Sequence, residues 1–218
     1  MLLDVRRTRE GNLVYRAAVA LTGVTVVVVA AVAFTDAGLA GLLVRENGPF
    51  EWLQVVLFAG AALICARLVP LERGAGRSGA PDSLLTASFA FMVVRELELP
   101  RLFLGRSIKI TRLARDVPAG RPRDIIFVLV VAALTIGLGV YAFRRRAALA
   151  AWGRRALETP WGRLLLLGLS IVVLTQVFER PLNHLVSKGL PDPLLEETLE
   201  LLAALYCFLA LIQRRGSR

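Results

Sequence analysis

The stretch EETLE places Glu196, Glu197 and Glu200 at the head of a long apolar run. If that run is helical, Glu196 and Glu200 are four residues apart and Glu197 and Glu200 three, so the acids crowd one surface. Like charges at this spacing repel. They are tolerated with water, a shared proton, an arginine or a cation beside them. Five more acids sit at comparable boundaries of apolar runs: Glu46 and Glu51 in RENGPFEW, Glu96 and Glu98 in RELELP, and Glu179 in FERP. Arg95, Arg101 and Arg180 stand close enough in sequence to serve as their charge partners.

Oxygen-rich groups of this kind suit Ca²⁺, Mg²⁺ or Mn²⁺. The single histidine, His184, offers one nitrogen to Zn²⁺ or Mn²⁺, so the candidate metal ligands are Glu96, Glu200 and His184. A divalent cation held there would activate water for hydrolysis of a lipid or peptide bond, with a spare glutamate as general base. Carboxylates inside a membrane also relay protons and bind coupling ions, which makes a small ion- or proton-coupled transporter a second possibility. A third is a binding or assembly role, in which acids and arginines dock a membrane-protein partner, a second copy of the chain or lipid. One histidine excludes any site needing two, and no CxxC or HExxH motif is present. Cys65 and Cys207 lie inside apolar blocks and read as buried reduced thiols.

The elements that must position these acids are apolar blocks. Of the 218 residues 56% are hydrophobic, with a mean hydropathy of +0.62, against about 45–50% apolar in a soluble domain. A helix needs about 20 apolar residues to cross a bilayer. The blocks predict an all-α, polytopic membrane bundle of about six transmembrane helices in one domain, residues 1–218. The expected spans are 14–34, 49–68, 82–99, 124–143, 160–180 and 193–213. The first run is too long for the apolar core of a signal peptide. Asn47-Gly48 supplies a turn, and Pro49 suits a first helical position, where its missing N–H costs nothing. Thr159 and Asp192 read as caps ahead of Pro160 and Pro193, and the PDS sequence at 81–83 reads as the cap signal of the third span.

With six spans, the ends of spans 1, 3 and 5 and the starts of spans 2, 4 and 6 face one side, so all eight glutamates would share one rim. Lys and Arg predominate on the other side, in the tail, the 2–3 and 4–5 connections and the C-terminus. By the positive-inside rule both termini are then cytoplasmic, in a bacterial inner membrane, and the acidic rim faces outward. The net charge of +10 follows from such loops and needs no nucleic acid, for which no soluble domain remains. Between spans 3 and 4, RLFLGRSIKITRLARDVPAGRPR alternates apolar residues with arginine and reads as an amphipathic segment at the interface, against anionic lipid headgroups. The expectation is an integral membrane protein with an outward, glutamate-rich, cation-binding pocket and a binding or assembly role.

Overall fold

A computed structural model describes residues 13, 15–25, 27–28, 31, 35, 48–97, 122–177 and 192–216. Among them are seven helices and no strand: α1 (15–25), α2 (Pro49–Gly74), α3 (Ala80–Glu96), α4 (Pro122–Arg144), α5 (Arg146–Leu157), α6 (Pro160–Val177) and α7 (Asp192–Gly216). The described residues are all-α, as their apolar blocks dictate. Proline opens α2, α4 and α6, where its fixed φ is already helical. Thr159 caps α6 by accepting a hydrogen bond from the Gly162 N–H at 3.1 Å.

Among the described residues α2 alone is long and apolar enough to cross a membrane by itself. It is the one clear candidate of the six expected spans. The α5–α6 pair would make a second only as a single span broken by a 112° bend. Several expected boundaries also move. The second block continues past residue 68 to Gly74 and takes Pro70 into the helix. The third starts at Ala80 behind Gly79, and no side chain caps it. The 4–5 connection is no loop, since RAALAAWGRRAL forms α5. Its small and long-chain residues are good helix formers, whatever their low hydropathy. The amphipathic segment expected between spans 3 and 4 lies outside the described residues, apart from its last few residues at the start of α4.

The core is built on α2, α3, α6 and α7. Helix α7 lies between α6 and α2, and α3 packs on the far side of α2. Apolar residues at helical spacing on α2 (Leu57, Phe58, Ala61, Cys65) share one buried cluster with Leu85 and Phe89 of α3 and Ala203, Cys207 and Ala210 of α7. Phe58 and Phe89 stack with ring centroids 6.0 Å apart. Backbones come close where side chains are small. A Cβ added to Gly168 of α6 would lie 2.8 Å from Cys207 Sγ and 3.0 Å from the Ala203 carbonyl. Helix α1 joins the core through the buried Ala18 and through Tyr206, whose hydroxyl donates to the Ala18 carbonyl at 2.6 Å and lies 2.5 Å from Thr22 Oγ1.

Helix α4 stands apart. Among the described residues it packs appreciably on α5 alone, and Ile126, Leu129, Leu134, Ile136 and Phe143 are each at least 60% exposed. A helix that is hydrophobic on all sides belongs against apolar surroundings.

Candidate functional site

Helices α2 and α7 run parallel and α3 antiparallel to both, so two ends of the core each collect side chains from all three. At one end α2 and α7 begin and α3 finishes. Arg95, near the end of α3, sets Nη2 2.5 Å from both Glu200 oxygens and Nε 3.0 Å from Glu96 Oε1. The second contact is an ion pair without hydrogen-bond alignment, because Glu96 is the next residue on the same helix. Gln54 of α2 is fully buried. Its amide donates to the Glu197 carboxylate at 3.1 Å and to the Glu197 carbonyl at 3.3 Å. The other end of that amide, Oε1, is buried and has no donor among the described residues. Glu51, one turn earlier on α2, lies in Coulombic range of both Glu96 and Glu197.

Of the acids named from sequence, Glu51, Glu96, Glu197 and Glu200 therefore meet at one end of the core, with Arg95 among them. Glu196 is half-buried on the first turns of α7. Glu46, Glu98, Glu179, His184, Arg101 and Arg180 lie outside the described residues. Among the described residues no group of three or more His, Cys, Asp or Glu side chains could hold a metal ion. Cys65 and Cys207 are free and buried.

Comparison of the chain with known protein families, curated proteins and solved structures finds no match. Its chemistry must be read from its own geometry.

The opposite end holds a second cluster that sequence reasoning missed. Arg214, near the end of α7, is 4% exposed. Its guanidinium grips Asp82 through both carboxylate oxygens, the second at 3.0 Å, and reaches Glu72 of α2 at 3.0 Å. Arg77 closes the same carboxylate from outside by pairing with the other oxygen of Glu72. The turn that brings Arg77 back is a Schellman motif: Arg77 N–H bonds the Glu72 carbonyl at 2.9 Å and Gly76 N–H the Arg73 carbonyl at 3.0 Å. Gly76 takes the positive φ of 71° that this closure needs. The Arg214 guanidinium also lies beside two indole rings, with Cζ 4.9 Å from the Trp161 ring centre and 5.9 Å from that of Trp152.

Asp82 is therefore no helix cap. It is fully buried and serves as the counter-ion of Arg214. The expectation failed because an acid behind proline in a first turn looks the same for either role. One signal was present. Glu72 and Asp82 are acids on the side where arginine predominates, and an acid at the mouth of an apolar block needs a cation. Beside this cluster is a cleft of about 290 Å³, walled by the turn after α2, α5 and the start of α6.

Proposed function

We propose that the chain is a multi-pass helical protein of a bacterial cytoplasmic membrane, with both termini cytoplasmic, that binds or assembles with a partner through the acidic end of its core. The single observation that carries this is α4: a helix of 23 residues that presents apolar side chains around its surface and leaves them outside the protein's own core. Helix α2 supplies the length: its 26 residues are long and apolar enough to cross a membrane, rising about 39 Å at 1.5 Å per residue against a hydrocarbon layer of about 30 Å. The directions of the other helices support the same arrangement. Helices α2 and α7 run the same way and α3 and α6 the opposite way, as the second, sixth, third and fifth of six crossings must. The basic cluster around Arg214 then lies on the cytoplasmic face and the acidic one on the outer face.

The acidic end supports the binding role. Carboxylates from α2, α3 and α7 converge there, and the orphaned Gln54 Oε1 asks for a hydrogen-bond donor. A lysine or arginine of a partner membrane protein, or of a second copy of this chain, answers both demands. Cations in membrane proteins are usually matched in this way.

Two measurements test the proposal. Cysteines introduced as Gly48→Cys and Gly76→Cys bracket α2, and a membrane-impermeant maleimide added to intact cells is expected to label the first and spare the second. Labelling of both, or extraction of the chain by carbonate, refutes the membrane arrangement. For the binding role, a photo-crosslinking residue at position 51 is expected to give a discrete adduct in native membranes. That adduct should be lost when Glu96 and Glu197 are both changed to Gln. An adduct indifferent to these two charges overturns the role.

A further inference from the structure

The cleft beside Arg214 has a chemistry of its own. We propose that it is a binding site for a phosphate-class oxyanion, such as the phosphodiester of an anionic lipid headgroup or free phosphate. The inference goes beyond the binding role given to the opposite end, and only its lipid source rests on the membrane reading.

The walls supply donors from several elements. Arg77 comes from the turn after α2, and Arg155 and Trp152 from α5, while the Thr159 hydroxyl at the α5–α6 bend already donates to the Ala156 carbonyl at 2.8 Å. The Arg77 side chain is 52% exposed, and its Nε pairs with Glu72. Arg155 is exposed, with its Nε on the Ala151 carbonyl at 3.3 Å. Among the described residues the terminal nitrogens of neither fork are engaged. Arg forks match the geometry of phosphate oxygens, and such charge-assisted bonds are the strong ones. Trp152 lines the same wall with its ring. Its Nε1–H is buried and has no acceptor among the described residues, and an indole nitrogen only donates.

The charge balance decides between an anion and a cation. The charged residues of the wall are Arg77, Arg155, Arg214 and Glu72, and Glu72 already pairs with both Arg214 and Arg77. Arg155 is then a positive charge in excess. The volume of about 290 Å³ is that of roughly ten liquid waters at about 30 Å³ each, enough for a phosphate and the group esterified to it. The surroundings agree with a lipid source. On α5, Arg154, Arg155 and Leu157 are exposed together, and Arg146 lies over the Phe143 ring at 4.6 Å. Arginines interleaved with apolar side chains mark a surface against anionic headgroups.

The test uses the full chain in mild detergent and native mass spectrometry, with phosphatidylglycerol or phosphatidylcholine added in one arm and inorganic phosphate in another. The expected result is a retained phosphatidylglycerol adduct that phosphatidylcholine does not match. Arg77→Gln with Arg155→Gln should weaken it by tenfold or more, at about tenfold per 1.4 kcal/mol of lost interaction, and Trp152→Phe, which keeps the ring and removes the donor, by a smaller factor. Arg73→Gln, an arginine on the same end but outside the cleft wall, should leave it unchanged. Inorganic phosphate binding with the same dependence on these residues identifies the free anion as the source and also supports the site. Equal retention of both lipids with no phosphate binding overturns the proposal. So do equal losses for Arg73→Gln and the cleft variants, or an adduct that survives Trp152→Phe and the double change at full strength. Carbonate extraction of the chain would count against the membrane reading alone, and the phosphate arm would still decide the site.

Discussion

Replacement of Arg214 by methionine removes the charge from a cluster in which Arg214, Glu72 and Asp82 are all buried. Methionine retains most of the apolar stem, so the loss is mainly that of the guanidinium. Asp82, with no exposed surface, loses both of its hydrogen bonds to a cation. Glu72 loses one contact but keeps Arg77. The cost therefore falls chiefly on Asp82. An uncompensated buried charge of this kind destabilises by about 3–5 kcal/mol. The indole rings of Trp152 and Trp161 lose a desolvated cation contact of about 0.5–2 kcal/mol, which overlaps the first figure. We expect a total near about 4 kcal/mol, read from denaturant unfolding of the detergent-solubilised chain by circular dichroism. The paired change Arg214→Met with Asp82→Asn should recover much of this loss, with a coupling of about 2–3 kcal/mol between the sites. A single-variant loss below about 1 kcal/mol, the value of an exposed pair, would refute the reasoning. So would a double variant that loses the full sum of the two.

Three further changes probe the packing. Gly168→Leu should separate α6 from α7 and cost about 1–3 kcal/mol in the same unfolding assay, since a Cβ alone would lie 2.8 Å from Cys207 Sγ; wild-type stability would contradict the close approach. Gly162→Ala places a methyl 2.0 Å from the Ala156 carbonyl and should open the α5–α6 bend, read as a lengthened distance between spin labels at positions 150 and 170. Tyr206→Phe removes the hydroxyl that holds α1 to α7 and should cost about 1 kcal/mol, with protease sensitivity rising first around residues 15–25.

The parts of the fold most legible in the sequence were the helix starts. Pro49 and Pro160 open α2 and α6, as proline must if its missing N–H is to cost nothing. The ends were less legible. Helix α2 runs through Pro70 because the turn beyond it, with Gly76 at positive φ, closes only at Arg77. Helix α5 was missed because hydropathy registers burial in lipid, while RAALAAWGRRAL is helical by propensity and half polar. At the acidic end, helical spacing alone placed Glu197 and Glu200 on a common surface, and Arg95 was an available partner from sequence. Gln54 was invisible there. A lone amide in an apolar run has no periodicity to betray it, and its value comes from a contact to Glu197, far along the chain. Asp82 was visible but misread, since capping and long-range pairing leave the same local pattern.

The two ionic clusters act on the same three helices, and this has a mechanical consequence. On α7, Glu200 and Arg214 are separated by about 21 Å of helix, at 1.5 Å per residue. A piston-like slip of α7 by one turn would pull both fastenings out of register at once, like a rod riveted at each end. A swing of α4 about Arg145 disturbs neither fastening, because among the described residues α4 packs appreciably on α5 alone, and the strut of α2, α3 and α7 keeps its length and pitch.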